Sequence, residues 1–244
     1  MQYASITLRN QNGQNQFHTC TLVKREMMTS DTCLIVLESN EVLASYDVSP
    51  GYHVSIRAHG ATRSYTPVPE TLQGMKNIRS NLYQVCLLVK AVPQGKISSY
   101  LHSSPIGTTM EILSPIVGTF RLQRGLYSEL VLISGGSGIS TILSILKAAR
   151  DGMYKIQQIH VYAFSSTGIP YENELNQLAN DGYIKLTCSE GRACLSDFSN
   201  LPSPNYGVGF ALCGPVPFMD TCIQFLSTLK HRRNNIHAFG LDDR

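Results

Sequence analysis

The sequence predicts a two-domain chain: a six-stranded antiparallel β-barrel over residues 1–124, with a polar tail over residues 1–16, and an α/β domain with a parallel sheet over residues 125–244. Three observations predict it. A length of 244 residues fits two compact domains of roughly 120 residues each. Apolar segments up to residue 120 are short, rich in Val, Ile, Thr and Tyr, and separated by turn residues, which is how antiparallel strands read. After residue 128 the order becomes apolar strand, glycine turn, helical stretch, and strands alternating with helices build a parallel sheet with crossovers.

The six barrel strands are read at 18–26 (HTCTLVKRE), 31–39 (DTCLIVLES), 51–60 (GYHVSIRAHG), 63–68 (RSYTPV), 81–90 (NLYQVCLLVK) and 109–115 (TMEILSP). A short helix at 97–103, preceded by Gly95, caps the barrel. The boundary is expected at RLQRGLYS, 121–128. Strands then follow at 129–134, 159–166, 183–189 and 209–214, with helices over 136–150, 171–180 and 215–230. The basic run KHRR at 230–233 reads as solvated.

Composition narrows the function. With 43% hydrophobic and 15% charged residues the chain buries a real core and is not a disordered segment. A net charge of +3 is too small for a protein that lives on phosphate backbones, so nucleic acid is disfavoured. No apolar run approaches the ~18 residues of a membrane span, and the first residues carry no signal-peptide core, so a cytoplasmic protein is expected. The seven cysteines (20, 33, 86, 188, 194, 213 and 222) include no C-x-x-C and no zinc-site spacing. Neither disulfide nor metal is expected, and apart from Cys213 they read as reduced core residues.

Three segments carry chemistry. ELVLISGGSGISTILSIL runs from an apolar strand through Gly135, Gly136 and Gly138 into a helix, whose open N–H groups and positive dipole end suit phosphate oxygens. As a dinucleotide fingerprint it is incomplete, because Thr141 stands where G-x-G-x-x-G has its third glycine. It also lacks the last glycine of a nucleophile elbow, although an Asp and then a His follow Ser137 in hydrolase order. ALCGPVPFMDTC repeats the strand, turn, helix plan, with Pro215 and Pro217 suited to a helix start and Cys213 facing a cleft at the carboxyl edge of the sheet. In the barrel, Arg63, Tyr65 and Thr66 offer a cation, a ring and a hydroxyl within four residues, which suits a ligand with a phosphate and a flat ring system.

Taken together the motifs resemble the ferredoxin-reductase-like flavoenzymes, and within them the cytochrome b5 reductase branch, including reductase domains fused into larger oxidoreductases. The family pattern R-x-Y-[ST]-P reads here as Arg63 to Pro67, G-x-[ML]-[ST] as Gly95 to Ser98, G-G-[TS]-G-I-[TS] as Gly135 to Ser140, and C-G-P-x-x-[MF] as Cys213 to Phe218. NNIHAFG is similar to the family's closing strand, and the likeness spans residues 18–240. It implies FAD on the barrel. Arg63 with Ser64 would meet the pyrophosphate, Tyr65 would lie along the flavin, and Thr66 would hydrogen-bond near the flavin N5. Gly95 with the backbone N–H groups of Lys96, Ile97 and Ser98 would also hold the pyrophosphate. Gly135, Gly136, Ser137, Gly138, Ile139 and Ser140 would bind the phosphates of NADH or NADPH, and Cys213, Gly214 and Pro215 would shape the nicotinamide slot, with Thr66 and Cys213 at the reacting atoms.

The implied activity is that of an NAD(P)H-dependent flavin reductase, passing hydride to flavin and single electrons to a haem protein, a fused cytochrome domain or another acceptor. The resemblance favours NADH, while Ser165, Ser166 and Thr167 with Arg192 could receive a 2′-phosphate. The chain departs from the family at Thr141, where many members have Pro, and at Val92, where many have an aromatic residue, which implies looser FAD. Two other classes compete: a nucleotide- or partner-binding module that keeps the fold with weakened catalysis, and a serine hydrolase built on Ser137.

Overall fold

The computed structural model describes residues 17–40, 50–69, 83–117, 126–152 and 155–240. The expected polar tail lies outside them, as does most of the expected boundary segment. The chain divides into two compact units, Met1–Gly118 and Thr119–Arg244.

The first unit is a six-stranded antiparallel sheet of β1 (Phe17–Met27), β2 (Thr32–Ser39), β3 (Tyr52–Ala58), β4 (Ala61–Tyr65), β5 (Tyr83–Lys90) and β6 (Thr109–Val117), with the helix α1 (Lys96–Ser103) between the last two strands. Its order is β4-β3-β6-β1-β2-β5. Alternation decides which side faces in: Cys20 and Leu22 of β1, Cys33, Ile35 and Leu37 of β2, and Val85, Leu87 and Val89 of β5 share one core. The β3–β4 hairpin turns at His59 and Gly60, both at positive φ (47° and 69°), as a two-residue turn matched to strand twist requires.

The two edge strands meet. Pro67 bridges Leu87, and Val68 N–H donates to the Cys86 carbonyl at 2.8 Å, so the sheet closes just past the end of β4. The segment expected as one strand over 63–68 therefore splits: β4 stops at Tyr65, and Pro67, which lacks an N–H, takes part in a single bridge only. The helix α1 packs against β3, β4 and β5, placing it along this seam, and buries Ile97 and Leu101. Arg25 of β1 holds its far end, donating to the carbonyls of Leu101 (3.2 Å) and Ser104.

The second unit is a five-stranded parallel sheet in the order β11-β10-β7-β8-β9. Its elements are β7 (Glu129–Gly135), α2 (Ile139–Arg150), β8 (Gln158–Ser165), α3 (Glu172–Asn180), β9 (Lys185–Glu190), β10 (Val208–Cys213), α4 (Val216–Thr228) and β11 (Ile236–Ala238). The strands β7, β8 and β10 are buried almost throughout, as strands covered on both faces must be, while the edge strand β9 is half-exposed. Phe198 anchors the core, with ring centroids of Tyr162, Phe164 and Phe225 within 6.0 Å.

The basic run after α4 is not wholly solvated. Lys230 turns the chain at φ 68°, His231 N–H donates to the Leu226 carbonyl and Lys230 N–H to the Ser227 carbonyl, a paired helix stop that carries His231 inward against Phe210. Arg232 instead lies 3.5 Å over the exposed ring of Tyr206. None of the seven cysteines, all of them among the described residues, is in a disulfide, and Cys194 stands apart from the expected core set by being exposed, where it caps the short turn Leu195–Phe198 together with Asp197.

Burial holds two histidines of this unit below their ordinary pKa of 6.5: His231, and His160, whose Nε2–H donates to the Glu129 carboxylate at 3.2 Å and is partly restored by it. Since each folded-state pKa is depressed, the unfolded chain binds protons first as pH falls below 6.5, and the stability these groups contribute above that value is lost on acidification. Melting midpoints recorded from about pH 7.5 down to about pH 5 should therefore fall, and the slope should flatten when His160→Gln and His231→Gln are combined.

Candidate functional site

On the first unit, β4 sets Arg63 opposite Ile56 and Tyr65 opposite Val54, on one face, with Ser64 between them in contact with Ser55 (Oγ–Oγ 3.2 Å). Tyr65 packs against the barrel core, and burial pushes its phenol up to about 12, with the Arg63 charge pulling the other way. Arg63 itself is exposed, and no carboxylate of the described residues pairs with it. Thr66 follows just outside the strand.

The start of α1 is shaped by Gly95 and Ser98. A tight turn brings the Gly95 N–H to the Val92 carbonyl at 2.9 Å, with Gln94 at φ 62°. The first helical bond runs from Ser99 N–H to Gly95 C=O, so the N–H groups of Lys96, Ile97 and Ser98 are left without a helical acceptor. A Cβ on Gly95 would run into Ser98 Oγ and stand 3.0 Å from the Val92 carbonyl. The Ser98 hydroxyl is already engaged, accepting from Val92 N–H and donating to the Gly95 carbonyl, so this residue offers a ligand its backbone rather than its side chain.

On the second unit, β7 and β10 lie side by side with Ser134 opposite Cys213, although they are the first and fourth strands of the sheet in chain order. Successive strands after β7 go to one side and β10 with β11 to the other, which opens a crevice beyond the carboxyl ends of β7 and β10. Both glycine turns empty into it. Gly136 starts the first at φ 57°, Gly136–Gly138 form a single tight turn, and α2 begins at Ile139, with Ser140 Oγ donating to the Ser137 carbonyl at 3.1 Å. The second passes from Cys213 through Gly214 to Pro215, the cap of α4.

The two turns are pressed together backbone to backbone. A Cβ on Gly138 would collide with the Cys213 carbonyl oxygen and lie 2.6 Å from its carbon. One on Gly214 would lie 3.1 Å from Gly135 Cα, and either Gly135 or Gly214 would put a Cβ 2.8 Å from the Phe218 ring. Thr141 Oγ1 contacts Cys213 Sγ at 3.2 Å. Cys213 as a residue is half-exposed, but its sulfur is turned inward, and burial pushes the thiol up to about 11 against the lowering effect of Thr141. It is a neutral thiol at physiological pH, suited to shaping a slot and not to nucleophilic attack.

Among the described residues no hydrogen bond joins Ser137 to a general base. The pair of buried His160 and part-exposed Glu129 sits at the amino end of the sheet, His160 opposite Val131, roughly 13 Å along the strand from Gly135 at ~3.3 Å per residue. Of the groups considered for a 2′-phosphate, Ser165 is buried with its hydroxyl 3.4 Å from Thr167 Oγ1, whereas Ser166 and Arg192 are exposed.

Residues 19–121 match the oxidoreductase FAD-binding domain family. Over most of its length the chain is similar to proteins named cytochrome b5 reductase, and it shares the two-domain fold of solved reductase structures. It is 25% identical over 256 residues to cytochrome b5 reductase 4 of Mus musculus, covering 91% of this chain and 46% of that protein. To NADH-cytochrome b5 reductase 1 of Mycosarcoma maydis it is 27% identical over 242 residues, covering 89% and 71%. The CS-b5R domains of human Ncb5or in the NAD+ form superpose with a TM-score of 0.76 at 23% identity, covering 94% of this chain and 71% of that one. The cytochrome b5 reductase domain of Ulva prolifera nitrate reductase gives 0.75 at 20% identity, covering 96% and 100%. The chain spans about half the length of the first of these curated relatives.

Sequence reasoning named both glycine turns but missed what locks them, namely Phe218 over Gly135 and Gly214, and Thr141 on Cys213. Gly138→Ala forces a methyl into the Cys213 carbonyl and should destabilise the second unit by about 1–3 kcal/mol. Urea unfolding checks this, and an unchanged midpoint would mean that the turns are not interlocked.

Proposed function

We propose that the chain is an FAD-dependent oxidoreductase unit that takes hydride from NADH and passes single electrons to a haem-protein acceptor, either separate or fused. The observation that carries this reading is an open phosphate site inside the stretch that matches an FAD-binding domain: an exposed Arg63 that no described carboxylate pairs with, and three N–H groups without a helical acceptor at a helix start that lies along the same seam. Those residues fit a dinucleotide flavin. Arg63 and the backbone of Lys96, Ile97 and Ser98 hold the pyrophosphate, Ser64 lines it, and Tyr65 and Thr66 orient the ring system.

When bound, FAD supplies the conversion of a hydride into one-electron transfers. The protein supplies position. The Gly135–Ser140 turn, with the start of α2 behind it, receives the phosphates of the pyridine nucleotide. Cys213, Gly214 and Pro215 shape the slot for the nicotinamide beside that turn, and their backbones are held against Gly138 and Gly135. NADH is favoured over NADPH by the names of the relatives, and by the Ser165 hydroxyl facing Thr167 instead of solvent. The departures at Val92 and Thr141 do not argue for a module with weakened catalysis, since the Val92 backbone fixes the α1 turn and Thr141 binds Cys213. The haem acceptor is supported by the relatives named cytochrome b5 reductase and flavohemoprotein. No described helix is long and apolar enough to cross a membrane, and seven cysteines without a disulfide support a reducing, cytoplasmic setting, with association to a membrane through a partner.

The purified protein should be yellow, or become so with FAD, and bleach anaerobically on adding NADH. Arg63→Ala removes a charge-assisted contact worth about 1.5–3 kcal/mol, so FAD affinity should fall by roughly 10–150-fold while the fold persists. Flavin fluorescence titration with circular dichroism measures both, and wild-type affinity in that variant would remove the pyrophosphate assignment.

A further inference from the structure

We propose that Thr141 is the positioning residue for Cys213, holding its sulfur in one orientation at the nicotinamide slot through a hydroxyl–thiol hydrogen bond. The inference rests on the reading of the second unit as a pyridine-nucleotide site.

The geometry leaves the thiol only one way to be wrong. The backbone of Cys213 is fixed on both sides: β10 pairs it with Ser134 of β7, and the Gly138 turn presses against its carbonyl. What remains free is the side-chain torsion, whose staggered positions send the sulfur in different directions. Thr141 selects among them. Its Oγ1 stands 3.2 Å from Cys213 Sγ, across 72 residues of sequence, from the first turn of α2. Being β-branched and buried, with 1% of its surface exposed, it is itself stiff. The neighbouring hydroxyls are occupied elsewhere: Ser140 donates to the Ser137 carbonyl and Ser144 to the Thr141 carbonyl.

One hydroxyl therefore ties the strand after which the nicotinamide slot is built to the helix whose start receives phosphates. A sulfur in a second rotamer would stand in the slot differently, and displacements of about 1 Å at a reacting pair cost on the order of a hundredfold in rate.

The test uses Thr141→Val, Thr141→Ser, Cys213→Ala and the Thr141→Val/Cys213→Ala pair in the whole chain. Two readouts are taken: anaerobic flavin reduction by NADH in a stopped-flow instrument, with NADH affinity from the same traces, and alkylation of Cys213 by iodoacetamide at one alkaline pH, followed at that residue by peptide mass spectrometry. Thr141→Val should slow reduction roughly tenfold at unchanged NADH affinity, because orientation and not binding is lost. It should also slow Cys213 alkylation severalfold, because the hydroxyl that favours the thiolate is gone. Thr141→Ser should keep both rates close to wild type, and in the Cys213→Ala background the Val substitution should have no further effect on reduction. Wild-type reduction or wild-type alkylation in Thr141→Val overturns the proposal, as does an undiminished effect in the Cys213→Ala background. If the wild-type protein binds FAD and is not reduced by NADH, the functional reading falls instead, and the alkylation rates still decide whether Thr141 holds the thiol.

Discussion

In the second unit the backbone of one turn touches the backbone of another, and much of the site follows from that contact. Gly138 sits on the Cys213 carbonyl and Gly135 on Gly214, at spacings that leave no room for a single methyl group. Such an approach is open only to glycine, and it brings the helix start behind β7 next to the helix start behind β10. Phe218 then packs over the two glycines and converts absent side chains into a filled surface. The crevice at the reversal of strand order is thus bounded by two glycine turns in backbone contact.

The first unit reaches a comparable result by different means. Its sheet closes through one proline bridge and one hydrogen bond, and the helix laid along that closure has its first turn open. Here the close approach is within a single turn, where Gly95 lets the Ser98 hydroxyl fold back onto the Val92 and Gly95 backbone. In both units a serine at the turn, Ser98 in the first and Ser140 in the second, is spent on holding it.

Much of this was legible from the chain alone, for identifiable reasons. Burial on one face gives period-two alternation in β1, burial on both gives the continuous apolar runs of β7 and β10, and glycine followed by a helix marks each turn. What the sequence hides is contact between residues far apart in it. Nothing local to Thr141 indicates a sulfur partner 72 residues away, and nothing local to Phe218 indicates that its ring covers a glycine of another strand. The end of β4 at Tyr65 depends on where the opposite edge strand arrives to meet Pro67. His231 was hidden among basic neighbours because its burial is set by a left-handed residue before it, and lysine does not advertise that conformation.

Arg25 gives the barrel a property that its shape alone would not. The guanidinium sits on β1, a strand with neighbours on both sides, and grips the carbonyl end of α1, so a helix laid along the edge seam is also tied to a central strand. A partly assembled sheet that lacks β1 in register has no fixed helix and hence no aimed row of N–H groups. Under the proposed assignment of the α1 start to a dinucleotide, occupancy would be coupled to completion of the unit: a ligand that binds the finished sheet alone would draw the folding equilibrium toward it by mass action, and the resistance of this unit to unfolding would depend on cofactor supply.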